Sequence, residues 1–124
     1  MQNFLYISIG AVLGANTRYW IVDLLEKKMI TTLPLGTILV NISGSFLLGL
    51  FITLATEKMN IDPKMNLLFT TGFFGAYTTF STYALQSINL FSDGKWSLGL
   101  FNLIGSSIIG GLAAVLGIYL GRSL

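Results

Sequence analysis

Four long apolar runs, separated only by short charged or turn-forming stretches, leave this chain little choice of architecture. They extend from about Phe4 to Leu25, Pro34 to Thr56, Met65 to Phe91 and Trp96 to Leu120, that is residues 4–25, 34–56, 65–91 and 96–120. The connections are Glu26–Leu33, Glu57–Lys64 and Ser92–Lys95, with Asp62-Pro63 and Asp93-Gly94 as turn signals in the last two. About 20 residues cross the hydrocarbon core of a bilayer as a helix. Each run therefore predicts a membrane-spanning helix, and residues 1–124 read as a single transmembrane domain of the all-α class. The first run has no positive residue ahead of it and continues past signal-peptide length, so it is expected to be a span rather than a cleavable leader.

Only 10% of the residues are charged, against about 25% in a soluble domain. The runs are apolar almost all round rather than on one face, as suits lipid rather than water. With no cysteine and no histidine, disulfides, thiolate or imidazole metal sites and histidine acid–base chemistry are excluded. No nucleophile–base pair offers itself, so an enzyme is not expected. The net charge of +2, with no basic cluster beyond Lys27–Lys28, argues against nucleic acid as a partner.

The third run is too long for one straight span. Its 27 residues, 65–91, would make a helix of roughly 40 Å against a core of about 30 Å. A break in mid-membrane would absorb the excess, and the run Gly72-Phe73-Phe74-Gly75 predicts one there. A non-helical backbone at that depth is tolerated only where protein or a wet cavity satisfies its carbonyls. Freed carbonyls of this kind are the usual material of a small-cation site.

Orientation signals nearly cancel. Lys58, Lys64 and Arg122 lie on one side, and Lys27, Lys28 and Lys95 on the other, with Arg18 near that end of the first helix. A Lys/Arg bias normally sets orientation. Its near absence points to a chain that inserts both ways and assembles as an antiparallel, dual-topology pair, unless something uncounted fixes the orientation. The 14 glycines fit close helix packing, which in lipid depends on small residues. Gly10 with Gly14, and Gly117 with Gly121, are spaced for it, and Gly44, Gly49, Gly105, Gly110 and Gly111 thin the second and fourth helices.

Polar residues at membrane depth carry the functional signal. Asn41 falls inside the second span, where a buried amide must find a partner on another helix or line a wet cavity. In the third, Thr78, Thr82 and Gln86 recur every four residues as a polar stripe, with Phe80 and Tyr83 on an adjacent face. Asn102, Ser106 and Ser107 add polar groups to the fourth. All five acidic residues lie at or near helix ends or in loops, so no titratable group is placed for proton coupling. Neutral hydroxyl and amide donors, with the positive edges of aromatic rings, suit an anion better than a cation. Arg18 is the one fixed positive charge near the interior, or else an interfacial anchor.

At these residues the sequence resembles the CrcB/Fluc family of fluoride channels. The likeness spans the chain and rests on Gly10-Ala-Val-Leu-Gly-Ala-Asn-Thr-Arg-Tyr19, Gly36-Thr-Ile-Leu-Val-Asn41 and Thr71-Gly-Phe-Phe-Gly-Ala-Tyr-Thr-Thr-Phe-Ser-Thr82, the last being the most specific. The resemblance implies an antiparallel dual-topology dimer in the cell's inner (plasma) membrane, a second copy of the chain or a close homologue being the partner. It implies passive export of fluoride through two pores, and a structural sodium ion at the dimer centre held by the backbone carbonyls of Gly75 and Thr78. The fluoride pathway would carry Asn41, Phe80, Ser81, Thr82, Tyr83, Ser106 and Arg18. The sequence departs from the family pattern at Tyr83, where Phe is usual, and at Gln86, where Glu is frequent. Expected fourth-helix hydroxyls fall on Gly110 and Ala114, which leaves Ser106 and Ser107 as substitutes. Two rivals remain: a small multidrug-type exporter, which needs an acid that the first run lacks, and a structural membrane subunit, which would not need so many polar groups in one helix.

Overall fold

In the computed structural model, which describes residues 1–124 throughout, the chain is helical along nearly its whole length and contains no strand. Helix α1 is Gln2–Lys28. Helix α2 is Leu35–Lys58, its last turn (Leu54–Lys58) widened to π form. Helix α3, residues 63–77, joins Pro63–Leu67, a π-helical stretch Leu68–Phe74 and Gly75–Tyr77. Helix α4 is Phe80–Ser92, and α5 is Trp96–Ser123 with a π-helical stretch at Phe101–Gly105. Both turn signals are used. Asp62 caps α3 by accepting the Lys64 amide at 2.8 Å, with Pro63 in the first turn. Gly94, at φ +76°, turns the chain between α4 and α5.

Helices α2 and α5 have mean hydropathies of 2.1 and 2.0, yet only 17% and 11% of their most apolar windows are buried inside the chain. The core helix of a soluble protein would be mostly covered. Apolar surface left bare along two full-length helices belongs in lipid, and the molecule is a helical membrane protein.

The helices meet through glycine. A Cβ at Gly10 would lie 2.0 Å from the Leu68 carbonyl oxygen, and one at Gly14 would lie 2.1 Å from that of Phe73, so α1 and α3 touch backbone to backbone. Gly117 brings α5 equally close to α2, 2.1 Å from the Phe46 oxygen by the same measure. Glu57 and Arg122 pair at 3.1 Å where α2 and α5 end together. Gly110 and Gly111 do not pack in this way. A Cβ would meet nothing nearer than Ser45 Oγ at 3.8 Å at the first and nothing at the second, so these two glycines face open space.

The helix of the third run stops at Tyr77, later than Gly72-Phe73-Phe74-Gly75 suggested. Thr78 (φ −88°, ψ 158°) and Thr79 (φ −147°, ψ 119°) are extended, and α4 starts at Phe80. The glycine run is helical because Gly72 serves contact rather than a break: a Cβ there would lie 2.7 Å from the Ile7 oxygen. Two β-branched threonines suit the extended backbone better than a helix. Gly44 of α2 gives them room, since a Cβ there would lie 2.4 Å from Thr78 Cγ2.

Candidate functional site

Two consecutive extended residues cannot continue the i→i−4 ladder, so the peptide groups around them need other partners. Asn41 supplies two of them. Its Oδ1 accepts the Thr79 amide at 2.8 Å and its Nδ2 donates to the Thr79 carbonyl at 3.0 Å. One side chain of α2 thus grips both polar groups of a single residue across 38 positions of sequence. Thr79 then caps α4, its Oγ1 accepting the Thr82 amide at 3.4 Å and donating to Thr82 Oγ1 at 3.1 Å. Arg18, half-buried on α1, donates through Nε to the Ala76 carbonyl at 3.0 Å. A cation at the carbonyl end of α3 also meets the negative end of that helix's dipole. Arg18 is thus tied to α3 by this bond, and apart from it three Lys/Arg lie toward each end of the bundle.

The break takes the helical partners of the Gly75, Ala76, Tyr77 and Thr78 carbonyls alike, and for two of them the diverted amide has a named new partner. In an unbroken helix the Thr79 amide would serve the Gly75 oxygen and the Thr82 amide would serve the Thr78 oxygen. Here both amides are diverted, to Asn41 Oδ1 and Thr79 Oγ1.

Past the gap, α4 is tied to α5 by side-chain hydroxyls and amides. Tyr83 bonds through its hydroxyl to the Leu103 carbonyl and lies 2.6 Å from Ser107 Oγ. Ser87, fully buried, donates to the Tyr83 carbonyl at 2.9 Å. A hydroxyl has one proton, so Ser87 must accept at the same oxygen from Asn102 Nδ2, 2.8 Å away. Leu103 lies in the π-helical stretch of α5, where loosened backbone carbonyls are open to such partners. The Phe80 ring sits 5.6 Å from that of Tyr83 but is 78% exposed, whereas Tyr83 is buried.

The predicted pathway residues divide between two cavities on either side of Thr79. Asn41, Phe80, Tyr83 and Ser106 line one of about 410 Å³, together with Thr78 and Ser107. Arg18 and Thr82 line another of about 220 Å³, with Thr37 and Gln86. Ser81 is exposed and borders neither. The stripe expected from Thr78, Thr82 and Gln86 does not exist, because the gap puts Thr78 off the helix that carries the other two. Ser106 is buried, with its hydroxyl on the Asn102 carbonyl. Gly75 is exposed and Thr78 half-exposed, so neither released carbonyl is sealed in this chain's interior. Thr79 went unnoticed in the sequence although it is central here; the signal was a Thr three residues before Thr82 at the start of an amphipathic stretch.

A family model described as "CrcB-like protein, Camphor Resistance (CrcB)" matches residues 5–118. A protein of Koribacter versatilis (strain Ellin345) named fluoride-specific ion channel FluC is 45% identical over 117 residues, which cover 94% of this chain and 92% of that one. Proteins with the same name from Maridesulfovibrio salexigens and Hydrogenobaculum sp. (strain Y04AAS1) are 40% and 38% identical, over 98% and 99% of this chain and 97% and 100% of theirs. With a match from residue 5 to 118 and full-length relatives this similar, the chain belongs to the CrcB/Fluc fluoride ion channel family.

Proposed function

We propose that the chain forms a fluoride-selective channel that lets fluoride leave the cytoplasm passively, and that the Thr78–Thr79 gap with its flanking cavities is where the ion passes. The observation that carries this reading is the bidentate grip of Asn41 on Thr79 beside a cavity rimmed by neutral donors and an exposed aromatic ring. Fluoride is small and strongly hydrated, so stripping its water is prohibitive without close replacement donors. The amide of Asn41 has two N–H groups. One is spent on Thr79 and the second remains for the cavity the residue lines. Hydroxyls at Ser107, Thr82 and Ser106, and the ring edges of Phe80 and Tyr83, extend the set of donors.

Assembly as an antiparallel pair of this chain, or with a close homologue, follows from what the single chain leaves bare. Thr71, Gly75, Ser81 and Ser107 are exposed, and lipid offers no partner for such groups. A second copy would cover them, and the near-even split of Lys/Arg allows the opposite insertion in the same inner membrane.

The carbonyls of Gly75 and Thr78 fit a structural sodium ion. They are hard, neutral oxygen donors, and they are the two whose helical partners Asn41 and Thr79 have diverted. Two oxygens are few for a cation, so two copies would have to pool theirs. Such an ion supplies a fixed positive charge that lowers the cost of an anion nearby. Asn41, Thr79 and Arg18 hold the backbone around the gap from within the chain.

The test is efflux from liposomes loaded with potassium fluoride or potassium chloride, with the potential clamped by a potassium ionophore. Rapid loss of fluoride with retention of chloride is expected. A well-folded, monodisperse preparation that releases neither would refute the self-sufficient channel.

A further inference from the structure

Tyr83, Ser107 and the Leu103 carbonyl form a triangle of oxygens that has more contacts than protons. Ser107 Oγ lies 2.8 Å from the Leu103 oxygen and 2.6 Å from the Tyr83 hydroxyl, which itself bonds to the Leu103 oxygen. Three contacts share two hydroxyl protons, because the carbonyl can only accept. A serine within a helix ordinarily turns its proton back onto the carbonyl four residues earlier. Ser107 does so here, but onto a carbonyl that Tyr83 also serves, so its proton can leave without orphaning that oxygen. Ser107 is also exposed and lines the cavity of about 410 Å³ beside Asn41 and Phe80.

We infer that Ser107 is an anion-donating residue on the fluoride path, and that Tyr83 is a positioning residue that frees the serine proton for that task; this rests on the channel reading above. With an anion at Ser107, the serine proton points to the ion and the phenol proton lies between the Leu103 oxygen and Ser107 Oγ. Such three-centre sharing is common near irregular helix turns. It satisfies the carbonyl, and a phenol donating into the serine oxygen strengthens the serine as a donor. Without the ion, the serine proton falls back inside the triangle. The Leu103 carbonyl therefore keeps a donor in Tyr83 when the serine proton turns to an anion. A Phe at position 83 would leave the Leu103 carbonyl to Ser107, and the serine would hold its proton there.

The experiment is a double-mutant cycle in fluoride efflux from liposomes, using the assembled protein purified by size exclusion. Losing one hydrogen bond to a charged ion slows passage by about tenfold, and that loss is expected for Ser107→Ala. Tyr83→Phe should produce a loss of similar size, the double variant should fall no further than Ser107→Ala alone, and Ser107→Thr should restore most of the flux. Should the alanine variant fail to assemble, Ser107→Cys, nearly isosteric but a weak donor, carries the same expectation. Wild-type flux in Ser107→Ala or Ser107→Cys would overturn the ligand role. Reductions that multiply in the double variant would overturn the action of Tyr83 through Ser107. If the unaltered protein moves no fluoride, the channel reading itself fails, which is a different result from either.

Discussion

The two halves of the third apolar run are held by opposite means. Residues 63–77 press backbone to backbone on α1 through Gly10, Gly14 and Gly72, and their aromatic side chains stack among themselves, Phe73 lying 5.7 Å from Tyr77. Residues 80–92 have no glycine and reach α5 through hydroxyls and amides, from Tyr83 to Leu103 and through Ser87 to Asn102. In lipid the hydrophobic effect does not distinguish helix from surroundings, so association must come from close packing or hydrogen bonds. Close packing predominates before the Thr78–Thr79 gap, although Tyr77 also bonds Ser43 at 2.9 Å, and hydrogen bonds predominate after it, although Phe91 also packs on Gly99. The packed half is pressed closely against α1. The tethered half presents Phe80 outward and places polar groups along a cavity. The site lies where one mode of packing gives way to the other.

The contrast can be broken at its first half most severely. A side chain at position 14 has no space, so Gly14→Val should abolish the monodisperse species on size exclusion, an overpacking cost of about 3 kcal/mol or more. Next is the gap itself. Asn41→Ala leaves both polar groups of Thr79 without their partner, at roughly 1–3 kcal/mol for each buried group; a lower melting temperature should accompany loss of fluoride efflux. The second half should answer more mildly. Ser87→Ala removes one link between Asn102 and the Tyr83 carbonyl, and a stability loss of about 1–2 kcal/mol in thermal melts is expected. A Ser87 variant as disruptive as Gly14→Val would show that the tethered half is as closely held as the packed one.

Much of this was legible in the residues because lipid imposes simple rules. Run length and the two turn dipeptides marked where helices begin and end, and the spacing of Gly10 with Gly14 marked a packing face. The position of the gap was not legible in the same way. Glycine suggests a break, yet Gly72 is helical because α1 needs its missing side chain. The interruption falls instead on two threonines whose extended conformation depends on Asn41, distant in sequence. The same long-range pairing invalidated the Thr78–Thr82–Gln86 stripe, since helical spacing means nothing across two extended residues. The task of Tyr83 was also hidden, because it depends on a carbonyl presented by a π turn in α5. Gly110 and Gly111 looked like packing residues and border a cavity. Which glycines pack and which line space depends on the facing helix.

Phe80 offers the most direct test of the gap as the ion's route. Its ring is 78% exposed and touches Tyr83 alone among the aromatic side chains, so truncating it leaves the fold nearly undisturbed. Fluoride efflux from liposomes should be compared for the unaltered protein and Phe80→Ala at equal amounts of assembled protein. The account predicts that Phe80→Ala keeps its size-exclusion profile and loses most of its fluoride flux. Unchanged flux from the variant would contradict it.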